Sequence, residues 1–486
     1  MQKGRFALAG VLAGLVLALV SPGSAAAGTE LVVGAVEDDL RASTLMEAQA
    51  KLTLFRTAGF RALRVTSYWV PGRDEPTEDE LRVLASVAAA GQMTGVRVYV
   101  TVMHVGSRTT PLTDEAQDAF ASYAAAIVRN TAVRHVIVAN EPNLNRFWLP
   151  QFGADGSNVA AKAYFTLLTR TYDALKAANP DVTVYGGALS PRGADNPQGT
   201  RQTHSPTTFI RDLGTAYRES GRTRPIMDSF AIHPYMDNSS TPPTLAHPLT
   251  TTIGPADYDK LVDLLGEAFD GTPQPGSTLP ILYGEFGVES QIPASKSRLY
   301  TGVEPTTTKP VSEATQSSYY RQALALAFCQ PNVTAMLILH SVDERPLDRW
   351  QSGVFYADGT PKSSLVAVTK ALDRTTGGSI ARCPGVQLPV KTTYVRFAGK
   401  RLAKQGTFRA SFTCSLDCAY ELRVVKLPGG VAKLVKRGRA LVDELVQVEF
   451  QPRRLGAGSY RYRLRLVHPV NPAPPTIRDG PIFRLP

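Results

Sequence analysis

The sequence predicts a (β/α)8 barrel followed by a small all-β sandwich, and three observations predict it. Short apolar runs alternate with helix-patterned segments eight times over residues 30–375. Strict alternation of this kind implies a parallel sheet covered by helices, and eight repeats suit a closed barrel. The first run ends Gly34-Ala35-Val36-Glu37-Asp38-Asp39, without the glycine-rich phosphate loop that an open doubly wound sheet carries there. The last 96 residues then change both hydrophobic period and charge. A chain of 486 residues has room for two or three domains. Its 43% hydrophobic and 20% charged content excludes a disordered or collagen-like chain.

In chain order, the first element is a targeting segment. Lys3 and Arg5 form a basic region, Phe6–Val20 is apolar, Ser21-Pro22-Gly23 breaks the run, and Ala25-Ala26-Ala27 offers a small-residue cleavage site. Residues 1–27 therefore read as a cleaved signal peptide. The apolar run is shorter than the about 20 residues of a bilayer span. No later stretch approaches that length, so the mature chain is expected to be exported, extracellular and without a membrane span.

The barrel is expected over 28–380. Its strands fall near Leu31–Gly34, Ala62–Val65, Val96–Val102, Val133–Ala139, Val182–Ala188, Met227–Ile232, Ile281–Tyr283 and Val333–Leu339. Helical spacing marks segments such as Thr113–Arg129, Ala160–Ala178, Tyr258–Phe269 and Thr315–Phe328, which begin after Thr, Ser or Asp. Long stretches at Gly193–Pro206, Asn238–Thr252 and Pro293–Pro310 read as βα loops that shape a cleft.

The sandwich is expected over 390–486. Apolar residues alternate with polar ones in Thr407–Thr413, Tyr420–Val424 and Tyr460–Leu466, with arginines prominent on the polar side. That period marks half-buried strands with cationic side chains on the wet face. Gly429-Gly430 and Gly456–Gly458 supply turns. From Lys391 onward there are 19 Lys and Arg against 6 Asp and Glu, a net +13. The whole chain carries +11, so everything before residue 391 is at −2. Such strand faces suit an anionic cell-wall polymer, the plainer alternative being a solvated face. No nucleic-acid-binding module is recognisable. Cys414 and Cys418 bracket a short turn and suggest a local disulfide, leaving Cys329 and Cys383 as a second pair. Neither pair has a His at zinc-ligand spacing, so no metal is expected.

A barrel places its chemistry at the C-terminal ends of its strands. Most of the apolar runs give way to polar or ionisable residues: Arg64 and Tyr68-Trp69 after the second, His104 after the third, Asn140-Glu141-Pro142-Asn143 after the fourth, His233-Pro234-Tyr235 after the sixth, Gly284-Glu285-Phe286-Gly287 after the seventh, and His340-Ser341-Val342-Asp343 after the eighth. Glu141 and Glu285, at the fourth and seventh ends, face each other across such a barrel. Two carboxyl groups flanking a bond are what glycoside hydrolysis requires: one protonates the leaving oxygen, and the other attacks the anomeric carbon or activates water. Either Glu alone reads more often as a loop salt bridge than as a catalyst, and Asn140-Glu141-Pro142 alone as a helix start. The pairing favours catalysis.

With those motifs in place, the barrel region resembles the clan A glycoside hydrolases. The string Asn140-Glu-Pro-Asn-Leu-Asn-Arg-Phe-Trp148 is most similar to family 39, the β-xylosidase and α-L-iduronidase group, with the cellulase-like family 5 next. The resemblance implies a retaining double displacement, with Glu141 as acid/base and Glu285 as nucleophile. It implies that Asn140 bonds the sugar 2-hydroxyl, Arg64 keeps the nucleophile ionised, Tyr235 hydrogen-bonds it, and His104 and His233 occupy the cleft. Core packing is the alternative for both histidines. The clan's tryptophan at the end of strand eight is missing here, so Trp350, Trp69 and Trp148 are the candidates to stack on a sugar face, again with core packing as the alternative.

The sequence thus predicts a secreted glycosidase acting on an oligo- or polysaccharide, with no cofactor. The alternative is a catalytically silent barrel that binds cell-surface glycan. A serine esterase is disfavoured because no Gly-x-Ser-x-Gly elbow is present.

Overall fold

The computed structural model describes residues 31–376, 390–397, 408–415, 418–441, 444–451, 455–469 and 474–485. The expected signal peptide and Cys383 lie outside the described residues. Eight parallel strands close a barrel in sequence order, and the first pairs with the last. They are β1 (Val32–Val36), β2 (Ala62–Trp69), β3 (Arg97–His104), β4 (His135–Val138), β5 (Thr183–Leu189), β6 (Ser229–Ile232), β7 (Ile281–Phe286) and β8 (Val333–Leu339). The helices between and after them are α1 (Leu45–Thr57), α2 (Glu78–Thr94), α3 (Asp114–Asn130), α4 (Val159–Ala178), α5 (Pro206–Glu219), α6 (Tyr258–Phe269), α7 (Glu313–Phe328) and α8 (Leu365–Thr376).

The helices start where local chemistry caps them. The side chains of Thr44, Thr77, Thr113, Asn158, Ser205 and Ser312 each accept from an amide of the first helical turn. Each such cap contributes roughly 1 kcal/mol by satisfying an orphan donor. Alternation along the strands then sorts side chains into two layers. Val36, Ala62, Tyr99, Ile137, Tyr185, Leu282 and Leu337 form a cluster of their own on one strand face, the barrel interior. Val65, Val100, Val136, Val184 and Phe230 pack with helix residues such as Leu84, Phe120, Leu168 and Leu265 in the outer layer. Among the described residues no helix is long and apolar enough to cross a membrane.

After α8 the chain is all antiparallel β. Strands β9 (Thr392–Phe397), β10 (Phe408–Cys414) and β13 (Val446–Phe450) form a three-stranded sheet in the order β13-β10-β9. Strands β11 (Cys418–Leu427), β12 (Val431–Ala440), β14 (Gly458–Val467) and β15 (Thr476–Leu485) form a four-stranded sheet in the order β12-β11-β14-β15. Rings from the two sheets meet between them: Phe397 stacks on Tyr462 at 5.3 Å, and Phe412 meets Tyr420 edge-on at 5.1 Å. This is the expected sandwich. Cys414 and Cys418 are bonded to each other, and Cys329 is disulfide-bonded.

Candidate active site

The ends of the barrel strands converge on a cleft of about 660 Å3 lined by Asn140, Glu141, Tyr235, Glu285, His340 and Trp350, among others. Backbone strain gathers at the same rim. Ala139, Glu141, Ala188 and His340 have φ of 64°, 41°, 48° and 62°. Non-glycine residues pay about 1–3 kcal/mol each for such conformations, and the surrounding structure must enforce them. For Glu141 the enforcement is visible: its amide donates to the Ala188 carbonyl at 2.9 Å, which ties the end of β4 to the end of β5.

Arg64 organises the floor. Its guanidinium is buried and donates to Thr101 Oγ1 (2.7 Å), the Gly284 carbonyl (3.1 Å) and Asn140 Oδ1 (3.0 Å), and lies 2.8 Å from Glu285 Oε1. Gly284 leaves room here, since a Cβ would stand 3.1 Å from the His233 ring. Tyr235 donates its hydroxyl to Glu285 Oε2 at 2.9 Å. Burial pushes the Glu285 carboxyl up, but the neighbouring His233 and Arg64 and the hydrogen bonds from Tyr235 and Arg64 outweigh it and hold the group below the usual carboxylate range.

His233, fully buried, sits between the two acids. Its Nδ1 is 3.0 Å from Glu141 Oε1 and 3.5 Å from Glu285 Oε2. Its Nε2 faces Arg64 at 3.4 Å. Arginine only donates, so the fitting tautomer accepts at Nε2 and donates from Nδ1 to Glu141. A carboxylate oxygen of Glu141, one of Glu285 and a ring nitrogen of His233 lie within 4.8 Å of one another. These three have the donor types of a metal site. The Arg64 guanidinium already supplies the positive charge at Glu285, however, and a cation beside it would be repelled.

The structure thus brings together Glu141, Glu285, Asn140, Arg64, His233, Tyr235 and Trp350. Trp350, in the loop after β8, lines the cleft and stacks on Tyr235 at 4.9 Å. It does not bring Trp69, Trp148 or His104 there. Trp69 is fully buried, packs edge-on against Phe120 of α3 and donates its indole N–H to the Arg73 carbonyl. Trp148 is fully buried between His104 and Tyr164. His104 Nδ1 meets the Gly106 carbonyl at 2.8 Å, and burial pushes its pKa down. Strand parity carried the signal. Arg64 and Thr101 are bonded inside the barrel, and Trp69 and His104 lie at odd separations from them on β2 and β3, so they point outward to the helices.

The rim also holds residues outside those motifs. Glu37, at the end of β1, accepts from the Ser341 amide and hydroxyl at 3.0 Å each and fixes the turn after β8. It carried the same signal as the others, an ionisable residue where an apolar run stops. Arg192 donates to the Tyr235 carbonyl at 3.1 Å and reaches Asp237 at 3.5 Å. Glu289 lines the cleft and accepts from the Gln351 amide at 3.4 Å, and burial pushes its carboxyl up to about 8. Arg192 and Glu289 lie on loops, where no period predicts direction.

No family model matches the sequence, and no curated protein matches it. Solved structures do resemble it at low identity. A β-glucuronidase from Bacteroides uniformis is 13% identical over 93% of this chain and 46% of that one, with a TM-score of 0.45. A GH39 β-xylosidase from Caulobacter crescentus is 16% identical over 88% of this chain and 97% of that one, with a TM-score of 0.44. A glucosidase from Croceicoccus marinus is 9% identical over 88% and 94%, with a TM-score of 0.47. The chain spans about half the length of the β-glucuronidase.

Proposed function

We propose that this chain is an exported, retaining glycoside hydrolase acting on the O-glycosidic bonds of an oligo- or polysaccharide. One observation carries the reading: two carboxylates meet at one barrel mouth within 4.8 Å and are held differently. Glu285 is gripped by Arg64 and Tyr235, which favour its ionised form. Among the described residues, Glu141 has His233 as its side-chain hydrogen-bond partner and otherwise faces the cleft. An ionised carboxylate is a nucleophile; a carboxyl free of cationic clamps is suited to carry and release a proton.

In this reading, a Glu285 oxygen attacks the anomeric carbon while the bond to the leaving oxygen breaks and Glu141 gives that oxygen its proton. Glu141, now a carboxylate, takes a proton from water. That water displaces Glu285 and regenerates both groups. Retaining enzymes hold their carboxyl groups about 5–5.5 Å apart, and inverting ones about 6.5–9.5 Å to admit a water between them. The oxygen separation here supports the shorter class. Asn140, fixed by Arg64, faces the cleft where a sugar hydroxyl would lie, and Trp350 offers an apolar face to a sugar ring.

The test is a panel of aryl glycosides on the full chain, with the first-formed anomer read by NMR. Turnover with retention, abolished by Glu285→Ala, is expected. Glycan binding without turnover by the unaltered chain would instead favour the silent barrel, and an inverted product would reverse the assignment of Glu285 as nucleophile.

A further inference from the structure

The register of the four-stranded sheet sorts its charges onto one face. Across β11 and β14, Glu421 pairs with Arg465, and Arg423 with Arg463. Across β11 and β12, Arg437 stands opposite Glu421, and Arg439 opposite Ala419. Across β14 and β15, Arg461 stands opposite Ile482, and Arg463 opposite Asp479. Residues directly opposite in an antiparallel pair share a face. The other face holds Leu422, Val424, Tyr460, Tyr462 and Leu464, all buried in the sandwich core. The outer face therefore carries Arg423, Arg437, Arg439, Arg461, Arg463 and Arg465, with Glu421 and Asp479 as the acids between them.

Those acids bind only part of the set. Glu421 holds Arg423 and Arg437, and Asp479 holds Arg461 and Arg463. Arg439 and Arg465 are exposed and have no acidic partner among the described residues. Arg484 on β15, toward the other end of the sheet, bonds the Ser459 hydroxyl and has no acidic partner among the described residues. Arginine recurs at these register positions, with Val435, Ile477 and Ile482 exposed on the same face. Guanidinium groups form two-point hydrogen bonds with carboxylate and sulfate, which an ammonium cannot match. Along β14, Arg461, Arg463 and Arg465 repeat at about 7 Å, and Arg423 stands about 5 Å across from Arg463, a row suited to a polymer with regularly spaced anions.

We propose that this outer face is a binding platform for a linear acidic polysaccharide, independent of any chemistry at the barrel. The sheet's aromatic side chains Tyr460, Tyr462 and Phe483 are buried on the opposite side, so the face offers no stacking platform for the bases of a single-stranded nucleic acid. Uronate and sulfate polymers present the same anionic chemistry, and the probes separate them.

The experiment measures binding of the full chain to polygalacturonate, to heparin, to neutral dextran, to duplex DNA and to vesicles of phosphatidylserine and phosphatidylcholine. Binding to polygalacturonate or heparin, none to dextran, and at least tenfold weakening between 50 and 300 mM salt are expected. Arg439→Glu with Arg465→Glu is expected to weaken it at least tenfold with an unchanged circular dichroism spectrum. Lys162→Glu with Lys370→Glu, the same charge change on barrel helices, is expected to leave it within twofold. Arg439→Lys with Arg465→Lys keeps the charge and loses the fork, and an intermediate loss is expected. Equal losses in the two Glu pairs, or tighter binding to DNA or vesicles than to either polysaccharide, would overturn the proposal. If the outer-face Glu pair fails to fold, the Lys pair decides: affinity unchanged from the parent chain would overturn the two-point contact on which the platform rests.

Discussion

Arg64, at the barrel mouth, is buried and engaged on every side by Thr101, Gly284, Asn140 and Glu285, whereas Arg465, on the sandwich, points into solvent without an acidic partner among the described residues. The barrel mouth buries Arg64 and Glu285 against each other where water is scarce. The sandwich face displays its arginines to water and leaves Arg439 and Arg465 without an acidic partner among the described residues. A buried charge must be compensated on site, so its neighbours are determined by it. An exposed one is compensated by water and is free to serve a partner. Removing a charge should therefore be severe in the first region and nearly neutral for stability in the second.

The sharpest form of that contrast is at the carboxylates. Glu285→Ala and Glu141→Ala are each expected to lower kcat/KM by about 10^2–10^4-fold or more on an activated aryl glycoside, and Glu285→Ala, which leaves the buried Arg64 without its acid, is also expected to lower thermal stability. Small anions such as azide, added to Glu285→Ala, should restore turnover with inverted product. Losses below tenfold for both would remove the carboxylates from the chemistry and leave the barrel mouth a binding site.

Next in size is the ion pair behind the cleft wall. Lys362 Nζ lies 2.8 Å from Asp343, and neither side chain is exposed. It also donates to Ser290 Oγ and the Gln351 carbonyl. Burial pushes the lysine down and the aspartate up, each toward its neutral form. Lys362→Met leaves a buried carboxyl without its partner and is expected to cost about 3–5 kcal/mol in urea unfolding. Lys362→Met with Asp343→Leu should recover much of that. A loss under about 1 kcal/mol for the single change would mean that water reaches the pair.

How much of this is legible in the sequence depends on the same distinction. The eight strands, the sandwich and the two glutamates are readable because each rests on a local pattern: an apolar run, its period, and an ionisable residue where it ends. Helical spacing over residues 258–269 matches α6 at both ends. Position after a strand end also points Trp69, Trp148 and His104 to the cleft, but strand parity turns Trp69 and His104 outward, and Trp148 fills the gap between His104 and α4. Lys362 gives no sequence signal at all. Its partner Asp343 lies 19 residues earlier, and the loop after β8, folded back through the Val342–Phe355 and Phe355–Pro361 bridges, brings the two together.

Smaller again is the effect of one hydrogen bond at the mouth. Tyr235→Phe removes the donor to Glu285 Oε2. A bond to a charged group contributes about 1.5–3 kcal/mol, so kcat/KM is expected to fall about tenfold or somewhat more. The pH profile gives the sign. Glu285 is held below the ordinary glutamate value, so its ionised form persists at neutral pH, and activity is lost only as pH falls through the lowered value. Removing one of the groups that hold it down moves that acid limb to higher pH. A limb that stayed in place would mean that Tyr235 acts by position alone.

The smallest expected effect lies on the sandwich. Asp479→Asn takes away the acid between Arg461 and Arg463, whose side chains are 33% and 45% exposed. Water replaces the lost partner at both guanidinium groups. The change in urea stability is expected to be under about 1 kcal/mol, against the several expected for Lys362→Met. Because the face becomes more positive, affinity for polygalacturonate should rise rather than fall. A large destabilisation here would mean that the arginine rows hold the sheet together instead of facing outward for a ligand, and the contrast between the two regions would fail from the sandwich side.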